Sequence, residues 1–330
     1  MTATMRALLC REYGDVDDLV LGTAPVPRAD NGQLLVRVHA AGLNFADALV
    51  VGGRYQIRHE PPFVPGSELS GEVIAIGEDI TDFCPGDRVM AQVDIGAFAD
   101  YTVVDARRAQ HVPKEMSDDE AAAFYVAYGT AGAALLHRCR LTPSETVLVF
   151  GASSGVGLAA LQVAKATGCS VIAGTRDPDK AAFVREQGAD FTVAIHAEDA
   201  RDQVRAWTES HGVDVVFDPV GGDATRLGLK CIAWEGRHVV VGFVSGTIPQ
   251  IPTNHLLLKN ADMIGFFWGD YYHRRPKDTQ HMFERLFDYY RQGTLKPHIA
   301  VSVEPTEITR TLRAQQQGEI LGKAVARFGL

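Results

Sequence analysis

A chain of 330 residues with 46% hydrophobic and 22% charged side chains can build a sizeable core and is too apolar for global disorder; at about 150 residues per domain it predicts two domains. The 41 acidic against 32 basic residues leave a formal charge of -9, which gives duplex nucleic acid no general attraction but allows a local basic pocket for a phosphorylated small ligand. No apolar run reaches the ~20 residues of a bilayer span, and Arg11, Glu12 and Asp15 break the region a secretory leader would need: the expectation is a cytoplasmic protein without membrane insertion.

Along the first 125 residues, Leu34 to His39, Gly71 to Ile76 and Val89 to Val93 predict short strands separated by turns such as Pro85-Gly86-Asp87. Ala121 to Leu136 is rich in helix formers, and Thr142-Pro143-Ser144 breaks the chain before a buried strand at Thr146 to Phe150. A helix from Leu158 to Thr167, a strand at Ser170 to Gly174, a helix near Asp179 to Gln187, a strand at Phe191 to Ile195 and a helix near Ala200 to Ser210 follow. Val213 to Phe217 and Arg237 to Gly242 add two strands. The alternation predicts a doubly wound parallel α/β sheet. Further on come a strand at Met263 to Trp268, a helix at Thr279 to Arg291, a strand at Ile299 to Val303, a helix near Glu307 to Gln317 and a final strand at Lys323 to Phe328. The last segments do not extend the βα pattern, so the chain is read as 1–125, a nucleotide-binding insertion 126–266, and a return 267–330 to the first domain.

Gly151-Ala152-Ser153-Ser154-Gly155-Val156-Gly157 lies between a predicted strand and helix. Glycine allows the tight turn there, and free N–H groups at the helix start can receive pyrophosphate oxygens; a purely structural turn is the other reading. After the next strand, Thr175-Arg176 stands where an acid often binds the NAD ribose. Arg176, with Thr175 and Lys180, suits the 2'-phosphate of NADP, although Asp177 can accept a ribose hydrogen bond or neutralise Arg176. The five cysteines, Cys10, Cys84, Cys139, Cys169 and Cys231, are scattered and form neither a disulfide framework nor a thiolate metal site.

Ala41-Gly42-Leu43-Asn44-Phe45-Ala46-Asp47, Val64-Pro65-Gly66-Ser67-Glu68-Leu69-Ser70-Gly71-Glu72-Val73, Pro85-Gly86-Asp87-Arg88-Val89, Ala127-Tyr128-Gly129-Thr130-Ala131, Asp218-Pro219-Val220-Gly221-Gly222 and Gly322-Lys323, in that order, resemble the zinc-independent quinone oxidoreductase branch of the medium-chain dehydrogenase/reductase superfamily. The resemblance implies a GroES-like catalytic domain around an inserted Rossmann domain, with substrate and nicotinamide meeting in the cleft between them, and a homodimer. It puts Asn44 and Ser67 where zinc-containing relatives have Cys and His, and the four-cysteine structural loop is missing, so neither zinc is expected. It puts Asn44 and Thr130 near the nicotinamide, Ser153, Ser154, Gly155 and Val156 around the pyrophosphate, and Gly242, Phe243 and Val244 beside the cofactor. Phe267, Trp268 and Lys323 are further contact candidates, and His196 stands where many relatives have Tyr.

Nicotinamide hydride can go to a quinone or to the β-carbon of an activated alkene, with the protein supplying orientation and hydrogen-bond donors rather than a metal. NADPH-dependent quinone reduction is the leading expectation, with Asn44 and Tyr55 orienting the acceptor. The spacing of Asn44, Asp47, Gly53 and Tyr55 also resembles enoyl-thioester reductases, in which the tyrosine assists protonation; enone or enoyl-thioester reduction is the second. Tyr55 has packing or loop hydrogen bonding as its alternative, Asp47 is expected to bond the local backbone, and Tyr128 is read as helix-end packing or a substrate contact. A low-turnover NADPH-binding structural or RNA-associated protein is the third reading, against which the acidic composition stands.

Overall fold

The structure, a computed structural model, describes residues 3–329. The chain divides into two compact units, one formed by Met1–Val126 with Pro297–Leu330 and the other by Ala127–Lys296. The first opens with β1 (Thr4–Leu9) and β2 (Val20–Pro25), an antiparallel pair. Next come β3 (Gln33–Leu43), α1 (Phe45–Val51), β4 (Glu68–Ile76), β5 (Arg88–Gln92), β6 (Tyr101–Asp105), β7 (Ala109–His111) and α2 (Asp118–Ala122). Along β3, buried Leu34, Val36 and Val38 alternate with half-buried residues, the period-two pattern of a strand with one face in a core. They meet Leu69, Val73 and Val89 in that core, where each full burial contributes roughly 1.5–3 kcal/mol.

The predicted helix over Ala121 to Leu136 becomes α2, then α3 (Tyr125–Gly132) and a wider π-helical winding over Ala133–Arg138. The nucleotide-type unit continues with β8 (Thr146–Phe150), α4 (Gly155–Ala166), β9 (Ser170–Thr175), α5 (Ala181–Glu186), β10 (Phe191–Ala194), α6 (Ala200–Trp207), β11 (Val213–Asp218), α7 (Gly222–Cys231), β12 (Ile232–Val240), α8 (Asn254–Lys259), β13 (Asp262–Gly265), α9 (Trp268–Arg274) and α10 (Pro276–Arg291). Its six strands are all parallel, in the order β10-β9-β8-β11-β12-β13, the doubly wound order of a Rossmann fold. The chain then returns with β14 (Ile299–Val303), α11 (Ile308–Gln317) and β15 (Lys323–Arg327). These complete the seven-stranded sheet β14-β15-β3-β4-β5-β7, with β6 also on β3.

The return therefore begins at Pro297 and not at residue 267. The reason is packing: a Cβ on Gly129 would lie 2.6 Å from the Trp268 ring, and one on Gly132 would lie 3.0 Å from Met282. These small residues of α3 seat α9 and α10 against the nucleotide-type unit. The predicted strand Met263 to Trp268 is cut short for the same reason, since Trp268 starts α9.

Candidate active site

In the nucleotide-type unit, β8 runs into a turn made possible by Gly151 at φ 59, a left-handed conformation that glycine adopts without steric cost. Ser154 is the N-cap of α4: its hydroxyl donates to Gly151 O at 2.8 Å and accepts from Gly157 N at 3.3 Å. A Cβ on Gly157 would lie 2.1 Å from Gly151 O, so only glycine lets the helix start this close to the strand end. Gly155 and Val156, the first two residues of the 12-residue α4, keep their N–H groups for an anion. Half-buried Ser153, Ser154, Gly155 and Val156 form the cradle, so the turn fits a pyrophosphate.

At the end of β9, Thr175 is buried and its carbonyl accepts from Ile195 N at 2.9 Å, while Arg176 is exposed and Lys180 half-buried. Asp177 Oδ1 accepts from Asp179 N at 3.0 Å, which ties that carboxylate to its own turn. His196 is exposed. The Pro219-Val220-Gly221-Gly222 loop is held by Asp218, an organiser missing from the candidate residues. Its Oδ1 accepts from Val220 N and Gly221 N at 2.9 Å, and its Oδ2 meets Thr225 Oγ1 at 2.5 Å and His238 Nε2 at 3.1 Å. Burial works to raise the Asp218 pKa, but the hydrogen bonds outweigh it and hold the carboxyl below its ordinary value. Val244 N donates to Pro219 O at 3.0 Å, which brings Gly242, Phe243 and Val244 beside this loop. Phe243 and Val244 are exposed, as is Phe267.

Two expectations change here. Tyr128 is only 2% exposed and its hydroxyl donates to Gln162 at 2.7 Å; it packs inside its unit instead of presenting a substrate contact. Trp268 is buried against Gly129 and serves packing. Thr130 is buried beside them on α3.

The other unit gathers a buried polar cluster. Glu68 on β4 is 0% exposed, and its Oε1 accepts from Val126 N at 2.7 Å. Its Oε2 takes Asn44 Nδ2 at 3.1 Å and Lys323 Nζ at 2.8 Å. Lys323, 3% exposed, also donates to Asn44 Oδ1 at 2.8 Å and Leu43 O at 3.2 Å. All three ammonium protons are thereby used, so the expected cofactor contact from Lys323 is replaced by an internal tether. Strand register explains the meeting: β15 runs antiparallel to β3 with Ala324 opposite Leu43, which brings Lys323 next to Asn44.

Asp47 on α1 is buried, accepting from Asn44 N at 2.7 Å and from the Ser67 hydroxyl at 2.9 Å. The local backbone bond expected of it is present. Burial pushes its carboxyl up to about 6, while those two bonds and the Lys323 charge pull the other way. Tyr55, on the loop after α1, is half-buried against the core, with its N–H on Leu49 O at 3.2 Å. Burial raises its hydroxyl pKa, and Asp47 and Asp94 add to the rise. That hydroxyl has no hydrogen-bond partner among the described residues, so it is a donor open to a ligand.

A GroES-like unit and a Rossmann unit with an amide-lined glycine turn, in one chain, define the medium-chain dehydrogenase/reductase class. Residues 155–288 match the zinc-binding dehydrogenase family and residues 30–114 the alcohol dehydrogenase GroES-like domain. A quinone oxidoreductase-like protein 2 homolog of Nematostella vectensis is 36% identical over 97% of this chain and 88% of its own. A mycobacterial protein solved in complex with NADPH superposes with a TM-score of 0.91 at 27% identity, covering 98% of this chain and 100% of that one. A quinone oxidoreductase of Pseudomonas syringae pv. Tomato gives 0.91 at 26%, covering 98% and 99%. The chain belongs to the quinone oxidoreductase branch of the medium-chain dehydrogenase/reductase superfamily.

Zinc does not fit the residues present. The positions expected to carry ligands hold an amide and a hydroxyl already bonded within the protein, and the one carboxylate among them, Glu68, carries the Lys323 ammonium. Among the described residues no three His, Cys, Asp or Glu side chains gather as a ligand set.

Proposed function

We propose that this protein is an NADPH-dependent quinone oxidoreductase that works without a metal. The observation that carries the reading is the open amide turn of Gly155 and Val156 followed, after the next strand, by Arg176 in place of a carboxylate. The NADPH-bound mycobacterial relative and the quinone oxidoreductase relatives support it. The Gly155 and Val156 amides with Ser153 and Ser154 hold the pyrophosphate, Arg176 and Lys180 hold the 2'-phosphate, and Gly242, Phe243, Val244, Phe267 and Thr130 border the remaining cofactor. When bound, the nicotinamide supplies hydride to the acceptor. Tyr55, its hydroxyl pKa raised by burial and by Asp47 and Asp94, donates a hydrogen bond or proton to acceptor oxygen as charge develops there. Asn44, its amide committed to Glu68 and Lys323, acts by anchoring the start of α1 and the loop that carries Tyr55.

The open Tyr55 hydroxyl also favours a second reading, reduction of a conjugated enone or enoyl thioester, in which a proton must be delivered. NADPH oxidation followed with quinones, enones and enoyl thioesters separates the two. Quinones are expected to turn over fastest; thioester turnover alone would overturn the quinone assignment, and no acceptor-dependent oxidation would overturn both. Tyr55→Phe is expected to lower enone reduction roughly 100-fold, the scale of general acid catalysis, and quinone reduction by less than about tenfold. Equal, near-wild-type rates would remove Tyr55 from the chemistry. Arg176→Ala is expected to cut the NADPH-to-NADH affinity ratio about 10–100-fold, as loss of charge-assisted bonds implies. An unchanged ratio in paired titrations would return Arg176 to an ordinary surface position.

We infer likewise that two copies associate through the edge of the six-stranded sheet. Among the described residues β13 pairs on one side only, with β12, and Leu257 and Leu258 on α8 just before it are 76% and 70% exposed, a combination that a second copy covers. Sedimentation is expected to give a dimer for the native chain and a monomer for Leu257→Asp with Leu258→Asp; a monomer at micromolar native chain would reject the pairing. A reducing, cytoplasmic setting is supported by five free cysteines, four of them buried, with burial pushing Cys139 up to about 12.

A further inference from the structure

Away from the glycine turn, the Rossmann unit carries a second concentration of positive charge. Helices α6 and α7 share a buried cluster that includes Ala200, Val204 and Ala224. Arg201 and Arg205 stand one helical turn apart on α6, and Arg226 and Lys230 one turn apart on α7, so each pair points the same way. Both pairs, with Lys259 from the end of α8, line one groove of about 730 Å³. Three acids edge it, Glu198, Asp202 and Asp223, but only Arg226 has a carboxylate partner, Asp223 at 2.6 Å. Among the described residues none lies within 4.0 Å of Arg201, Arg205, Lys230 or Lys259.

The four cations without a carboxylate partner converge, although the Lys259 ammonium also donates to Ile232 O. Lys259, Arg201, Arg205 and Lys230 all act electrostatically on the buried Cys231 thiol. The Lys259 pKa is lowered first by burial and then by Arg205 and Arg201. In a chain of net charge -9, five cations against three acids leave the groove a positive excess, and a multivalent anion between the cations relieves their repulsion. Arginine pairs suit phosphate oxygens in particular. Ile195 and Leu227 give the groove an apolar wall for whatever body carries the phosphates.

We propose that the groove between α6 and α7 is a binding site for a small polyphosphate, free or carried on a nucleoside, separate from the glycine turn after β8. The site shares no residue with that turn, and it is a property of this unit whatever acceptor the enzyme reduces.

The test is calorimetric titration of the full-length protein, saturated with NADPH, with ATP and with inorganic tripolyphosphate. The salt is about 150 mM, where only close charges still attract strongly. At least one probe is expected to bind at one site per chain, and the double variant Arg205→Ala with Lys230→Ala to weaken it at least roughly tenfold while NADPH binding stays unchanged. ATP binding tighter than tripolyphosphate identifies a nucleoside-borne ligand; equal or reversed affinities identify the phosphate chain alone, and both support the site. No saturable binding at millimolar probe, binding unaltered in the double variant, or loss of binding as NADPH is raised would each overturn it, the last by locating the probe in the cofactor turn.

Discussion

Lys323→Met is expected to destabilise the protein by about 3–5 kcal/mol, the usual cost of leaving a buried carboxylate without its cation. The substitution keeps the length of the side chain but removes the ammonium that bonds Glu68, Asn44 and Leu43. Glu68, 0% exposed, retains the Val126 and Asn44 N–H donors but loses its counter-charge, with Asp47 close enough for the two carboxylates to interact. The loss is also expected to depend on pH. Burial already raises the Asp47 carboxyl to about 6 while Lys323 pulls it down; without the ammonium it rises further. An acid whose folded pKa exceeds its unfolded value loses stability as pH rises through the folded pKa. The deficit of the variant is therefore larger at pH 8 than at pH 5, where a proton on Asp47 replaces part of the missing charge. Urea unfolding at the two pH values measures both effects. Glu68→Gln added to Lys323→Met should recover part of the loss. A deficit below about 1 kcal/mol, or one that grows towards pH 5, would remove the buried pair as the tether of Asn44.

Gly157→Ala is expected to weaken NADPH binding at least about 100-fold and to cost roughly 1–3 kcal/mol of stability, the range of overpacking by a methyl group. The new Cβ would fall 2.1 Å from Gly151 O, well inside contact distance. The struck atom is backbone, and it also accepts the Ser154 N–H and hydroxyl, each at 2.8 Å. Relief requires α4 to move away from the end of β8, which takes the Gly155 and Val156 amides with it. Fluorescence titration with NADPH reads the affinity and a thermal melt reads the stability. Near-native affinity would mean that this turn is structural and that the cofactor lies elsewhere.

Strand β8 occupies its expected residues, Thr146–Phe150, and β14 its expected Ile299–Val303, because dense β-branched and apolar runs bounded by turn residues need no distant information. Helix α7 was not expected: Gly222–Cys231 contains Gly228 and Thr225, poor helix formers, and its helicity rests on packing. A Cβ on Gly228 would lie 2.8 Å from the His238 ring, so that glycine makes room for the Asp218–His238 pair. The Rossmann unit runs about 30 residues past its expected end at 266, because α9 and α10 attach through small residues of α3, which composition does not display. Glu68 at the start of a mainly apolar strand, with Gly322-Lys323 near the chain end, was the one available signal of the buried cluster.

What the sequence alone determined is local: the alternation that makes a doubly wound sheet, the glycine turn and Arg176 in place of an acid, each of which depends on residues a few positions apart whose steric and hydrogen-bonding preferences act within one turn or strand. The amide and hydroxyl where zinc ligands would stand came from the resemblance to the family. Only the tertiary structure decided that Asn44 is tied to Glu68 and Lys323, that Tyr128 and Trp268 are buried, and that four cations without a carboxylate partner among the described residues share one groove. Those outcomes depend on strand register and helix docking, which bring together side chains as many as 279 positions apart and withdraw them from water; burial then makes the choice of partner decisive, because an unpaired charge there costs several kcal/mol.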